Sequence, residues 1–466
     1  MAKTKITGKQ LRSIGYTDGP ALSLTLQIAV KQLKHSTEAA ALTLLKQLLH
    51  TPESFLNDEV WSPVAFKLVP PDEEIIETPA LRSTALDFSV WGRNFIGEDA
   101  MHQMYQATRL PVAVAGALMP DAHNGFGLPI GGVLATENVV IPYAVGVDIG
   151  CRMSLSIFDI RADELQRRRG RWAAMLDGAT LFGSGAQFDR PADHYIMDDP
   201  RFDQTELLRS IHGKAWKQLG SSGSGNHFAE WGVVDIDEPD ESVGLAPGQY
   251  IGLLSHSGSR ALGARIAEYY TRVAMDKCRL PSQVRHLAWL SLQDEDGIAY
   301  WDAMNLTGDY ARACHEVIHN RIVKSIGRNP VVNINNHHNF AWKEKWKGRE
   351  VIVHRKGATP AGKGVLGIIP GSMATEGFIV KGKGNEDSLL SASHGAGRRL
   401  SRGRAAAAFN MKNLREILDK ANVQLIGGAP DEAPMAYKNI HDVMAAQTDL
   451  VDVVGSFMPA IVKMDG

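Results

Sequence analysis

Hydrophobic positions recur along this chain with two different periods. Up to about residue 80 the spacing is helical. The stretch TDGPALSLTLQIAVKQLKH opens on a turn, puts Pro20 near a helix start and then sets Leu24, Ile28 and Leu33 at roughly helical intervals. A second helical run, TEAAALTLLKQLLH, follows. TPESFLNDEVW predicts a further helix start, with Thr51 as N-cap and Pro52 at the first helical position, where a missing N–H costs nothing. LVPPDEEIIETPA, residues 68–80, breaks the pattern with three prolines and four carboxylates and reads as a linker.

From about residue 85 onward the texture changes. Short β-branched runs alternate with glycine-rich turns in GGVLATENVVIPYAVGVDIG, GQYIGLLSHSGSR, NPVVNINNHHNF, REVIVHRKGA, GIIPGS and GFIVKGKG, which predict strands ending in polar turns. RALGARIAEYYTRVAMDKC, GDYARACHEVIHNRIVKSIG and SRGRAAAAFNMKNLREILDKA predict intervening helices. Strands and helices do not alternate strictly, so the pattern is α+β. The expected division is a helical extension with linker over 1–80 and a larger domain over 85–466.

Bulk properties narrow the class. The chain has 466 residues, 44% hydrophobic and 22% charged, as a soluble globular protein does. Its net charge of −2 is not that of a polycation, so nucleic-acid binding would need a local basic patch. Three cysteines, Cys151, Cys278 and Cys314, lack the number and spacing of a disulfide framework and point to the reducing cytoplasm. The N-terminal MAKTKITGKQLRSIGY carries no apolar signal core. No stretch reaches the roughly 18 apolar residues that span a bilayer, so no membrane association is expected.

Sixteen histidines are unevenly placed. VGVDIGCRM sets Asp148 three residues before Cys151; GSGNHFAEW carries Asn226, His227 and Glu230; SHSGSR carries His256; NINNHHNF carries His337, His338 and Asn339. Singly, each has a bland reading. A buried cysteine is usually a small hydrophobe, a strand-end histidine is usually a hydrogen-bonding structural residue, and Asp148 could cap its turn. Together, one carboxylate, one thiolate and several imidazoles make a transition-metal donor set, in which a thiolate can bridge two ions. HEVIH, residues 315–319, offers a rival: two histidines one helical turn apart, with Glu316 as general base of a zinc hydrolase. That reading lacks a third ligand.

Anion chemistry is concentrated further along. GIIPGSMATEGFIVKGKGNEDSLLSASHGAGRRLSR is rich in glycine, serine and lysine, and backbone N–H groups in such turns cradle phosphates. Arg398, Arg399, Arg402 and Arg404 add charge at a helix start, for phosphate or simply for solvent. His394 stands in this loop. A nucleophile on phosphorus, a general acid and a passive phosphate donor are equally natural roles for it.

PDAHNGFGLPIGGV, VGVDIGC, GSGNHF, HSGSR, HHNF, RKGA, IIPGSM, GNEDSLLSASHGAGR and DEAPMAYKNI occur in this order. Over residues 85–466 they resemble the RtcB family of RNA-splicing ligases. The resemblance implies an α+β fold of packed β-sheets surrounded by helices. It implies an enzyme that joins an RNA 3′-phosphate or 2′,3′-cyclic phosphate end to a 5′-hydroxyl end with GTP and Mn²⁺. His394 would attack the α-phosphorus of GTP, pass GMP to the RNA 3′-phosphate, and the 5′-hydroxyl would displace it. Cyclic ends would first be opened by hydrolysis at the same metal site. Asp148, Cys151, His227, His256 and His338 would hold two Mn²⁺, bridged by Cys151. Asn226, Phe228, Glu230, Asn339, Ser372, Tyr437, Lys463 and the segment Gly395, Ala396, Gly397, Arg398 would hold the guanosine nucleotide, with Glu230 on the guanine edge.

The chain departs from the family pattern in three places. Arg152 follows the metal cysteine where glycine is frequent, and would crowd the site or add a phosphate contact. Gly377 takes the place of a second nucleotide-binding serine. VKMDG replaces the usual C-terminal KG around Lys463. The N-terminal ITGKQLRSIGYTDGPALSLTLQIAV resembles a helical motif of tRNA nucleotidyltransferase tails, which would make it an RNA-positioning module; a small bundle used for packing or self-association is the other reading. The alternatives to ligation are 3′-phosphate end-capping by GMP, a zinc metallohydrolase at HEVIH, and a non-catalytic RNA-binding paralogue.

Overall fold

A computed structural model describes residues 6–17, 19–56, 58–69 and 78–466. The chain divides into two compact units, Met1–Ile75 and Ile76–Gly466. The central residues of the expected linker, 70–77, lie outside the described ones.

The smaller unit is helical, with helices over Gly8–Ser13, Pro20–Gln32, Glu38–His50 and Ser62–Leu68. Thr7 and Gln10 close a reciprocal capping box on the first helix, and the Thr37 hydroxyl accepts from the Ala40 N–H on the third. Leu11, Leu45 and Leu48 are fully buried, each contributing about 2 kcal/mol of apolar transfer. The stripe turned inward on the second helix is Leu22, Thr25, Ala29 and Leu33; Leu24 and Ile28 pack only partly against this core. Thr51 caps nothing ahead of it. Its hydroxyl donates back to the Gln47 carbonyl at 3.0 Å and closes the preceding helix, and Pro52–Phe55 is a single 3₁₀ turn.

The larger unit is built on two sheets. The first runs in the order Ser89–Val90, Ala113–His123, Ile130–Thr136, Arg349–Lys356, Asn339–Trp346. The second runs Leu366–Ile369, Gly377–Gly382, Val451–Met464, Phe228–Ile236, Gly248–Ser257, Arg152–Arg161, Val332–His337, antiparallel throughout, with Gln424–Ile426 added parallel to Val451–Met464. Its two edge strands are joined by one side chain. The Asn336 amide donates to the Ile368 carbonyl at 3.3 Å and accepts from the Ile368 N–H at 2.9 Å, so the sheet curls almost into a barrel.

Helices Arg260–Lys277 and Glu295–Ile326 pack in the main core. The second is longer than its sequence pattern announced. It starts at Asp294 with Glu295 and Asp296 in its first turn and ends at Gly327 in the left-handed region, φ +73°. The expected single helix after His394 is two, Arg402–Ala408 and Met411–Lys420, because Asn410 and Asn413 form a second capping box. The chain passes from the curled sheet to the other at His338, between strands Val332–His337 and Asn339–Trp346. The candidate site lies at that crossing.

Candidate active site at the sheet crossing

Alternation along the Arg152–Arg161 strand decides what faces the site. Cys151 and Met153 line a cavity of about 330 Å³, and Arg152 between them points to the other side of the sheet. Cys151 Sγ lies 3.4 Å from His227 Nε2 and 3.2 Å from His256 Nε2. His256 Nε2 in turn lies 3.2 Å from His338 Nε2. The fifth donor, Asp148, sits 3.0 Å from His227 Nε2. Its other oxygen accepts from the Ser259 N–H at 2.9 Å and hydroxyl at 3.2 Å. Only glycine fits at position 258, where a Cβ would stand 2.1 Å from the Asp148 carboxylate.

The donors are set for a cation. His256 gives its Nδ1–H to the Asn226 carbonyl at 2.9 Å, which leaves Nε2 as a lone pair toward the thiol. Burial pushes His256 down to about 3 and His338 well below the ordinary imidazole value, so both are neutral imidazoles with a lone pair available to a cation. Burial, then the neighbouring Asp148, pushes the Cys151 thiol up. Asp148 is itself pushed up by burial, but the His227 hydrogen bond and charge outweigh this and hold it low. A thiol, a carboxylate and three imidazoles thus converge, and the set fits a divalent transition metal. Cys151, His227 and His256 hold their donor atoms within 4.8 Å of one another.

His394 borders this cluster, its ring 5.0 Å from that of His338. Its Nδ1 lies 2.7 Å from Asp121 Oδ2, and its backbone N–H donates to the same oxygen at 3.1 Å. Burial pushes the Asp121 carboxyl up; the charge and hydrogen bond of His394, with Lys438 and His123, outweigh it and keep the group below the usual carboxylate range. The carboxylate faces Nδ1, so in the neutral ring that nitrogen carries the proton and Nε2 is left as the lone pair. Gly397, at φ +73°, lets the loop close on this pair, since a Cβ would lie 2.1 Å from the Asp121 carbonyl. Sequence reasoning assigned Asp121 no role. The available signal was its place in the motif PDAHNGFGLPIGGV, as a carboxylate at the end of an apolar run.

Asn226, Phe228, Glu230, Asn339, Ser372, Tyr437 and the segment from Gly395 to Arg398 all line the same cavity. Glu230 is 4% exposed with no hydrogen-bond partner among the described residues, and burial pushes its carboxyl well up. Asn339 is spent on backbone, accepting from the Gly357 N–H at 2.9 Å and donating to the Asp148 carbonyl at 3.3 Å. Arg398 is anchored by Glu432, at 2.9 Å, and by Tyr437. Glu432 is a second buried carboxylate that the motif reading did not single out.

The sequence pattern of the family described as "tRNA-splicing ligase RtcB" matches residues 103–465. This chain belongs to the RtcB family. The RNA-splicing ligase RtcB of Escherichia coli K12 is 34% identical over 393 residues, covering 76% of this chain and 91% of that protein. The Mycobacterium tuberculosis RNA-splicing ligase RtcB is 31% identical over 431 residues, covering 77% and 98%. The Thermococcus kodakarensis tRNA-splicing ligase RtcB is 29% identical over 436 residues, covering 76% and 90%. The α+β architecture of packed sheets and surrounding helices is that of an RtcB protein.

Two of the three departures from the RtcB pattern, at Lys463 and Arg152, lie outside the cavity. Lys463 does not line the cavity; its strand neighbours Val462 and Met464 do, and its ammonium donates to the Asp177 and Thr180 carbonyls, both at 2.8 Å. Arg152 neither crowds the metal donors nor reaches a phosphate in this cavity, for the alternation reason given above. Gly377 does line the cavity, and Thr375, two residues before it, supplies a hydroxyl 2.9 Å from Ser372 Oγ. HEVIH gains no third donor among the described residues: Glu316 turns to His194 at 3.0 Å, while His315 and His319 share the Ser255 hydroxyl at 2.7 Å each. Among the described residues no helix is long and apolar enough to cross a membrane.

Proposed function

We propose that this chain is an RNA ligase of tRNA splicing or RNA repair, joining a 3′-phosphate or 2′,3′-cyclic phosphate end to a 5′-hydroxyl end with GTP and Mn²⁺. The observation that carries the reading is the His394–Asp121 pair beside the thiol–imidazole cluster. Nε2 of His394 forms a bond to the α-phosphorus of GTP as the bond to the bridging oxygen breaks and pyrophosphate leaves. Positive charge gathers on the ring as that bond forms, and the Asp121 carboxylate at 2.7 Å offsets it. An oxygen of the RNA 3′-phosphate then takes the phosphorus, and the electron pair returns to Nε2. The 5′-hydroxyl oxygen next bonds to the RNA phosphorus, GMP leaves, and the hydroxyl proton passes to solvent. A cyclic end takes up one water first.

Asp148, Cys151, His227, His256 and His338 would hold Mn²⁺, which when bound neutralises phosphate charge. Glu230, buried without a partner, would accept from the N–H edge of guanine. The Cys151 thiol has to stay free for this chemistry, which suits the cytoplasm.

The test is incubation of the protein with Mn²⁺ and α-labelled GTP. The expected result is a covalent label, acid-labile and base-stable as a phosphoramidate is, absent from His394→Ala. Label retained in that variant, or none formed by the parent with GTP and Mn²⁺, would overturn the reading.

A further inference from the structure

Behind the Arg152–Arg161 strand, on the face away from the metal donors, lies a second cavity of about 930 Å³. It is bounded by the long helix Glu295–Ile326 and by strand Val332–His337. Arg152, Ser154 and Ser156 face it by alternation, and their cross-strand partners His337, Asn335 and Asn333 face it with them.

Arg152 is 5% exposed, yet among the described residues no carboxylate comes within ion-pair distance of it. Three of its five N–H groups are engaged, all by neutral oxygens: Gly150 O at 3.4 Å, Asn335 Oδ1 at 3.0 Å and Gly308 O at 3.2 Å. A buried cation without a counter-charge is costly, and an anion is what it lacks. Two carboxylates line the same cavity, Asp309 and Glu316, but each is already held: Asp309 by Arg201 at 2.7 Å, Glu316 by His194 at 3.0 Å, with Arg312 reaching toward both. Ser154 and His337 have no hydrogen-bond partner for their side chains among the described residues, so two further polar groups stand open beside the guanidinium.

We propose that this rear cavity binds a small oxyanion, a phosphate or a carboxylate, on Arg152 with Ser154, His337 and Asn335 around it. The site is independent of the ligase reading, since it shares no lining residue with the metal cavity.

The experiment follows the melting temperature of the metal-free, full-length protein against inorganic phosphate at ionic strength fixed with chloride, with sulfate and acetate as parallel arms. A saturable rise is expected in the parent. Arg152→Met removes the cation, and Asn335→Asp leaves it in place but supplies a carboxylate at the position now 3.0 Å from the guanidinium. Both should weaken the apparent affinity at least tenfold, while His394→Ala should not. The arm with the tighter saturation separates a tetrahedral anion from a carboxylate. No saturable rise with any anion, or a rise that persists in either cavity variant, overturns the proposal.

Discussion

His394 and Asp121 meet twice on one oxygen: the ring Nδ1 at 2.7 Å and the backbone N–H at 3.1 Å both reach Asp121 Oδ2. The side-chain contact sets which ring nitrogen carries the proton, and the backbone contact fixes the ring's distance from the strand. Asp121→Asn keeps the size of the group and removes the anion. Transfer of label from GTP to His394 should fall by about 10²–10⁴-fold, with GTP affinity changed little. Single-turnover labelling alongside equilibrium GTP binding separates the two. A parallel loss of affinity and rate would make Asp121 a binding residue instead.

Much of this site was legible because its donors sit in short motifs at strand ends. Asp148, Cys151, His227, His256 and His338 were each named from sequence, and the sheet crossing at His338 brings them together. Asp121 was not given a role: it lay inside the quoted motif PDAHNGFGLPIGGV, but its partner is 273 residues away and the motif alone does not say which of its residues acts. Alternation decided two misreadings. Arg152 and Lys463 each sit next in sequence to a cavity residue and therefore face the opposite way. In the N-terminal unit, Thr51 carried a good helix-start signal, but its hydroxyl served the helix that ends there.

Metal binding should be visible without turnover. Mn²⁺ should raise the melting temperature of the parent, and at a hundred times its dissociation constant the stabilisation is about 2.7 kcal/mol. Cys151→Ala removes the donor that lies within 3.4 Å of both His227 and His256, and should abolish the rise. A rise of equal size in that variant would place the metal elsewhere.

The HEVIH helix gives a contrasting outcome. Glu316 is 39% exposed and pairs with His194, a contact of the kind that contributes about 1 kcal/mol or less. Glu316→Gln should leave GTP labelling within about twofold of the parent and barely change stability, since no step assigned to the site uses it. A hundredfold loss of activity would restore the hydrolase reading.

Arg355 is the residue of the RKGA motif with a structural task. Its guanidinium is fully buried and grips Glu344 with both arms, at 2.7 and 2.9 Å, while Nε donates to Ser391 Oγ at 2.7 Å. Arg355→Met should cost about 3–5 kcal/mol by leaving Glu344 without its cation in a partly buried place. Urea unfolding reads this directly, and a loss under 1 kcal/mol would mean that Glu344 finds water instead.

Lys356, next along the strand, turns its ammonium to the Phe126 and Tyr143 carbonyls, and burial lowers it from 10.5 to about 7. Below about pH 7 the group is charged whether the chain is folded or unfolded, and the folded state bears the full cost of the buried charge. Between about 7 and 10.5 the unfolded chain holds a proton that the folded state has released. Stability contributed by this group therefore rises with pH, by up to about 1.4 kcal/mol per unit. Lys356→Met carries no such proton. Its stability relative to the parent should fall steadily from pH 7 to 9.5, after a constant offset for the two lost carbonyl contacts. Urea unfolding of both proteins across that range measures the difference, in which other titrating groups cancel. Parallel curves would mean that Lys356 keeps its proton in the folded state, held by those carbonyls more strongly than burial opposes it.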